Sequence, residues 1–309
     1  MPFQLVDSLS LPGDPMKPNE DAFGHADRAA VVFDGATPLG DMLMPGSSDA
    51  AWIAHFGSRR LLSHIQNGNS PRKALRNALN DAEESFKGLR RRAPDAQWEM
   101  PCASMMLVSY CPLRPSLAQE PATGTSPASA NARGGGGSES GTEMEFLWYG
   151  DCGALLANGN GVDVIGETMS KRAAEAKRAS TIAKMKNVSP ANALSRGDFI
   201  SQLRKARDFV NSGNYWLFSP EVTAAPHATR LTVHAAPGAH LLLASDGFLA
   251  LASDYGAYDA PGLMTAVLGK GLAALGEELR AIEEKDPGGD TYPRFKKSDD
   301  ATALLLEVV

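Results

Sequence analysis

The stretch AAVVFDG at residues 29–35 is the best starting point for predicting the fold. Its five consecutive apolar residues predict a strand that is buried on both faces. The strand runs directly into Asp34-Gly35, which places a carboxylate at its end. Because Asp-Gly pairs are common in turns, this carboxylate taken alone indicates no chemistry.

Acidic residues stand beside several other apolar segments in the same way. These residues are Asp21 in NEDA (19–22), Asp151 after FLWYG (146–150), Asp246 after LLLAS (241–245), and Asp299-Asp300 before ATALLL (301–306). Carboxylates that converge repel one another and require a cation between them. Mg²⁺ and Mn²⁺ prefer oxygen ligands, and the sequence has no Cys/His cluster that would suit tetrahedral zinc. The recurrence therefore predicts a site for hard divalent ions.

The bulk composition is that of an ordinary soluble protein. The 309 residues are 43% hydrophobic and 21% charged, which allows a sizeable core. A net charge of -6 disfavours a nucleic-acid partner. No segment approaches the roughly 20 apolar residues of a membrane helix, and the first residues lack the layout of a signal peptide. Three cysteines without metal-ligand spacing suggest reduced thiols. We therefore expect a cytoplasmic protein with neither a membrane nor a nucleic-acid partner.

Runs of strands are separated from blocks of helices along the chain. Strands are predicted at 3–9, 29–33, 102–110, 143–149, 153–157, 215–218, 229–234, 239–245 and 301–309, and helices from about 47, at 70–92, at 170–210 and at 261–285. Helical blocks that are segregated from strands indicate an α+β layered domain.

The segment at about 112–142 differs from its surroundings in composition. It is rich in Pro, Ala, Ser, Thr and Gly and includes four glycines at 134–137. Such a segment cannot bury enough apolar surface to offset its ordering entropy, so we predict that it is disordered. Because it connects two neighbouring strands, we interpret it as an insertion into a hairpin within a single domain spanning 1–309.

The order of the acidic motifs adds information that no single motif carries. NEDA (19–22), VFDG (32–35), GDCGA (150–154), LASDG (243–247) and DDAT (299–302) resemble, in order and over nearly the whole chain, the PPM or type 2C metal-dependent protein phosphatases. The resemblance implies a central β-sandwich of two mostly antiparallel sheets flanked by helices, in α-β-β-α layers. It also implies a dinuclear Mg²⁺ or Mn²⁺ site at one end of the sandwich, with a third ion in some members.

The resemblance further implies a role for each acidic residue. Asp34 would bridge two metals, the Gly35 carbonyl would bind one of them, Asp246 and Asp299 would complete the second, Glu20 and Asp21 would hold metal-bound waters, and Asp151 would contribute to a third site. A metal-activated water would then attack the phosphorus of phosphoserine or phosphothreonine in line, with Asp34 and Asp246 as catalytic residues. The expected protein is a monomer that acts on phosphoproteins in signalling.

Three features depart from the family pattern. The loop after the first aspartate, usually D-G-x-G-G, is DGATP at 34–38, and GDCG replaces the usual GDSR at 150–153. The phosphate-binding arginine that the family carries shortly before the NED motif is missing, and Lys17 is the nearest cation to that position. A basic helical segment at about 166–213 stands where the family has a mobile flap, and it could attract phosphorylated substrates or simply be a solvated helix face.

These departures leave two alternatives to a serine/threonine phosphatase. The missing arginine and altered loop favour a pseudophosphatase that binds phosphoproteins without hydrolysing them, whereas the retained carboxylates argue against it. Hydrolysis of a small phosphorylated metabolite is the second alternative.

Overall fold

Two five-stranded antiparallel sheets form the centre of the molecule in the computed structural model. The structure describes residues 2–110, 141–159, 161–167, 177, 179–181, 183, 184, 189 and 197–309. The strands are β1 Phe3–Leu11, β2 Asp21–Ala26, β3 Ala29–Gly35, β4 Ala103–Tyr110, β5 Thr142–Tyr149, β6 Gly153–Asn158, β7 Gly161–Ile165, β8 Thr229–Ala235, β9 His240–Ala244 and β10 Ala301–Val308. One sheet has the order β1-β10-β9-β6-β7 and the other has the order β2-β3-β4-β5-β8.

Helices cover the outer face of each sheet. The helices of the described residues include α1 Asp49–Gln66, α2 Pro71–Leu89, α3 Gly197–Arg207, α4 Asp246–Ser253, α5 Ala260–Lys270 and α6 Leu272–Lys285. The helices α1 and α2 pack on the sheet that contains β3, whereas α4, α5 and α6 pack on the sheet that contains β9 and β10. This arrangement confirms the expected α-β-β-α layers.

The strand β3 is buried on both faces, as its continuous apolar run predicts. Val31 and Phe33 point toward α1 and α2, whereas Ala30 and Val32 belong to the cluster between the two sheets. Every side chain from Ala29 to Phe33 is fully buried. The central position of β3 fixes where the chain leaves the sheet, and therefore where Asp34 lies.

Several predicted elements differ from the structure. Residues 215–218 form only isolated bridges, not a strand. The predicted helix 261–285 is two helices, because Gly271 adopts a φ of 82° that a continuing helix does not allow. The elements β2, β7 and α4 were not predicted.

The two segments with unusual composition are described only in part. The predicted insertion at 112–142 lies outside the described residues except for its last two positions, and β5 begins at its final residue, Thr142. Of the predicted helix 170–210, the structure describes α3 and a few helical residues within 177–184. Among the described residues, no helix is long and apolar enough to cross a membrane.

Candidate metal centre

Four aspartates from both sheets meet at one end of the sandwich. Asp34 is the second-last residue of β3, and Asp151 lies in the connection between β5 and β6. Asp246 is the first residue of α4, and Asp299 lies just before β10. One carboxylate oxygen each from Asp34, Asp151 and Asp246 lies within 4.8 Å of the other two. These three residues and Asp299 line a cavity of about 430 Å³.

The glycines that follow two of these aspartates are required by close backbone approach. A Cβ on Gly35 would lie 2.5 Å from the carbonyl oxygen of Glu20 and 2.8 Å from that of Ala50. A Cβ on Gly247 would overlap the carbonyl of Asp300. Each of the two Asp-Gly pairs therefore lies where the backbone of another segment packs closely against the chain at the end of a strand.

Charge repulsion and burial dominate the surroundings of Asp34. Burial raises the pKa of its carboxyl well above the usual range, and the nearby carboxylates of Asp246 and Asp21 raise it further. A bound cation would reverse this balance, because opposite charge favours the ionised form.

Asp21 lies opposite Asp34 in the β2–β3 register and is almost fully buried. Ser245 donates a hydrogen bond of 2.8 Å to its Oδ2. Its Oδ1 is buried and has no hydrogen-bond partner within the described part of the chain. Burial raises the pKa of Asp21 well above the usual range, although the Ser245 hydrogen bond lowers it in part. An unsatisfied buried oxygen of this kind is costly unless a further donor or cation serves it.

Glu20 and Asp300 hold the loops around the cavity and do not line it. The Glu20 carboxylate accepts hydrogen bonds from Thr37 Oγ1 at 2.6 Å and Ser48 Oγ at 2.5 Å. Asp300 accepts backbone N–H bonds from Gly13 at 2.7 Å and Glu20 at 2.6 Å. Of the adjacent Asp299-Asp300 pair, it is therefore Asp299 that faces the cavity.

Lys17 is the one residue of the predicted site that the structure leaves well outside it. Its side chain is 75% exposed, and its ammonium lies 3.7 Å from Asp14. It is not among the residues that line the cavity.

Three residues of the site were not found from the sequence. Ser104 on β4 donates a 2.5 Å hydrogen bond to Asp151 Oδ1, Lys296 Nζ lies 2.9 Å from Asp299 Oδ1, and Arg207 lines the cavity from the end of α3. Desolvation lowers the pKa of the Lys296 ammonium, but the charges of Asp299 and Asp34 outweigh it and raise that pKa, so the group stays protonated. Only its position three residues before Asp299 could have drawn attention to Lys296.

The donor set fits hard divalent cations. The three closest ligand atoms are carboxylate oxygens, and the buried Asp21 Oδ1 adds an oxygen that lacks a partner among the described residues. Cys152 is fully buried in the cluster between the sheets, and burial raises the pKa of its thiol, so it offers no thiolate. The arrangement therefore suits Mg²⁺ or Mn²⁺ better than Zn²⁺.

Comparison with known proteins gives matches among solved structures only. No protein-family model matches the sequence, and no curated protein matches it. The catalytic domain of the serine/threonine protein phosphatase PstP, in complex with two manganese ions, is similar at a TM-score of 0.53 and 14% identity, over 99% of this chain and 98% of that one.

Two further structures show the same likeness. The Mycobacterium tuberculosis serine/threonine phosphatase PstP/Ppp has a TM-score of 0.53 and 15% identity, over 99% of this chain and 98% of that one. The S. agalactiae serine/threonine phosphatase has a TM-score of 0.51 and 10% identity, over 99% and 100%. Identities this low establish architecture alone, and the chain has the fold of the PPM-type serine/threonine phosphatases.

Proposed function

We propose that the protein is a Mg²⁺- or Mn²⁺-dependent phosphatase of phosphoserine and phosphothreonine in proteins. The observation that carries the proposal is the convergence of Asp34, Asp151 and Asp246 within 4.8 Å, in a cavity at the end of the sandwich. Carboxylates at this spacing repel one another, and cations between them stabilise the ionised form.

The residues that would hold the ions are those that face the cavity. They are Asp34, the carbonyl of Gly35, Asp246 and Asp299 for two ions, with Asp151 contributing to a third. When bound, such ions would lower the pKa of a coordinated water and offset charge on the phosphoryl oxygens. Asp34 and Asp246 contribute charge from opposite sheets, so the site depends on the sandwich keeping its two layers in place.

Polar residues in and around the cavity orient the carboxylates. Ser104 fixes Asp151 through one hydrogen bond, and Ser245 fixes Asp21 through another. Thr37 and Ser48 hold Glu20 from two sides, so that its carboxylate would order water just outside the cavity lining. Such restraints keep the site open and preorganised in spite of the repulsion between its charges.

A phosphorylated protein is the substrate that we favour. The similar solved structures are those of serine/threonine phosphatases. The cavity is open enough for a phosphorylated side chain, and the sequence of the 166–213 segment is basic. A pseudophosphatase or a metabolite phosphatase would share these features but differ in turnover or in substrate size. We further propose a monomeric, cytoplasmic enzyme that acts in signalling, with neither nucleic acid nor a membrane as partner.

Hydrolysis of an aryl phosphate and of a phosphothreonine peptide, with and without Mn²⁺, tests this proposal. Both activities should vanish after chelation and return when Mn²⁺ or Mg²⁺ is added. Full activity in excess chelator would exclude the metal-dependent mechanism. Mn²⁺ binding without turnover of either substrate would indicate the pseudophosphatase, whereas turnover of the aryl phosphate alone would indicate a small-molecule substrate.

A further inference from the structure

The cavity carries an excess of negative charge that a phosphate dianion has to overcome. Its charged lining within the described residues consists of the acids Asp34, Asp151, Asp246, Glu283 and Asp299 and the cations Arg207, Arg294 and Lys296. Divalent ions would offset the acids, but a phosphate group also needs donors on the side away from the metals. The three cations are therefore the groups to weigh as phosphate ligands.

Arg294 is fully engaged in holding a loop. Its side chain is 9% exposed, and its nitrogens donate to the carboxylate of Asp286 and to the backbone carbonyls of Glu283, Tyr292 and Lys297. It therefore braces the segment 286–297 and has no donor to spare for a substrate. The loop that it braces is the one that carries Lys296.

Lys296 extends from that braced loop into the cavity. Its side chain is 43% exposed, and its Nζ lies 2.9 Å from Asp299 Oδ1 and 3.4 Å from Thr37 Oγ1. An ammonium has three donors, so the Asp299 and Thr37 contacts leave it capacity for an anionic oxygen. The contact to Asp299 sets the ammonium beside the carboxylates of the cavity.

Arg207 reaches the cavity from the last turn of α3. Its neighbour Arg204 docks the helix, since its Nε and Nη2 both donate to the carbonyl of Leu39 and its guanidinium lies 4.1 Å from the Trp98 ring centroid. Arg207 uses only one of its five N–H donors on the protein in the described contacts, from Nη1 to the carbonyl of Thr37 at 2.7 Å. Its guanidinium therefore reaches the cavity with donors to spare.

Thr37 joins the two cations. Its carbonyl accepts from Arg207 and its hydroxyl lies within reach of Lys296, so both cations flank the loop that departs from the family pattern. Because this loop continues directly from Asp34-Gly35, the cations lie next to the predicted metal ligands.

We propose that Lys296 and Arg207 together bind the phosphate group of the substrate, in place of the arginine that the sequence lacks. The proposal rests on the proposed function, because it assigns the non-metal ligands of the same site. The two cations come from a loop and a helix that are far apart in sequence, so a bound phosphate would link α3 to the loop that carries Lys296.

The binding of inorganic phosphate to the Mn²⁺-saturated protein, measured by calorimetry, tests the proposal without requiring turnover. Lys296→Met and Arg207→Met should each weaken phosphate binding by about 10- to 100-fold, the usual loss for a charged hydrogen bond. Lys296→Arg should retain most of the affinity. The matched controls are Lys297→Met on the same loop and Lys205→Met on the same helix, both of which are exposed and outside the cavity lining, and these should bind phosphate normally.

A titration with Mn²⁺ distinguishes phosphate binding from a merely structural role. If Lys296→Met changes Mn²⁺ affinity but not phosphate affinity at saturating Mn²⁺, then Lys296 only neutralises Asp299 and the proposal is wrong for it. If wild-type protein hydrolyses substrate but both variants bind phosphate normally, this inference fails while the phosphatase function stands. If wild-type protein binds Mn²⁺ but neither binds phosphate nor hydrolyses the aryl phosphate or the phosphopeptide, the proposed function fails, and this inference fails with it.

Discussion

Asp34 at the end of β3 and Asp286 after α6 are carboxylates with opposite surroundings. Burial raises the pKa of Asp34, and the charges with the largest effect on it, those of other aspartates, raise it further. Burial also raises the pKa of Asp286, but backbone N–H groups of Tyr292 and Thr291 and the Arg294 guanidinium outweigh it and lower that pKa overall. The protein thus supplies Asp286 with its own counter-charge and surrounds Asp34 with like charges.

This difference in surroundings is what we expect if Asp286 stabilises the fold and Asp34 binds metal, as proposed above. Asp286 accepts hydrogen bonds from three consecutive backbone N–H groups, at residues 290–292, and its removal would leave Arg294 buried without its ionic partner. Asp34 contributes repulsion to the metal-free protein, so its removal relieves strain there. Stability and activity should therefore respond in opposite ways to the loss of each group.

The largest effect is expected from Asp34→Asn or Asp246→Asn. Either change should lower turnover by at least roughly 100-fold, as the loss of a key electrostatic group typically does. The metal-free variants should be as stable as the wild type or more stable, because repulsion is relieved. Steady-state kinetics with Mn²⁺ and urea unfolding of the chelated protein measure the two quantities. A variant that loses stability but keeps metal-dependent activity would show that these aspartates are only turn or cap residues.

The change Asp286→Asn should have the opposite effect on stability and destabilise the protein. Because both side chains of the Asp286–Arg294 pair are 9% exposed, breaking it should cost about 3 kcal/mol of unfolding free energy. This loss should be the same with and without Mn²⁺ when measured by urea unfolding. The control is Lys87→Met, which removes a helix-surface ion pair with Glu83 and should cost no more than about 0.5 kcal/mol. Equal losses for the two variants would contradict the contrast between Asp286 and Asp34.

The sequence is sufficient to predict β3 and β9, because a continuous apolar run that leads into Asp-Gly is a local signal. The strand β2 was missed for a physical reason. It contains Gly24, where a Cβ would overlap the side chains of Leu62 and Ser58 on α1, so helix packing has removed its apolar pattern. The break at Gly271 was missed because a glycine inside a helical pattern does not reveal its φ.

The residues missed at the site are joined to it by contacts between distant parts of the chain. Ser104 and Asp151 are 47 residues apart, Arg207 and Thr37 are 170 apart, and Lys296 and Thr37 are 259 apart. No periodicity or motif spacing encodes such pairs. Only its position in the sequence suggests Lys17 as a phosphate ligand, and in the structure its side chain lies away from the cavity.

The smallest expected effect is on the pH dependence of stability in the metal-free protein. The folded-state pKa values of Asp34 and Asp21 are raised above the ordinary 3.8, so the folded state holds more protons than the unfolded state above that pH. Stability should therefore fall as pH rises from about 4 toward 7, because the folded protein has to release these protons. Asp286 has a lowered pKa, so its contribution is present above 3.8 and is lost only in more acidic solution.

Urea unfolding at pH 4.5, 5.5 and 6.5 measures this slope. Other groups titrate in the same range, so the informative quantity is the difference between wild-type protein and the double variant Asp21→Asn/Asp34→Asn. The metal-free wild type should lose more stability with rising pH than the variant does. Saturating Mn²⁺ should reverse the wild-type slope, because the metal competes with protons for the same carboxylates. Identical slopes for wild type and variant in chelator would mean that the two aspartates titrate normally, and the contrast with Asp286 would then have no electrostatic basis.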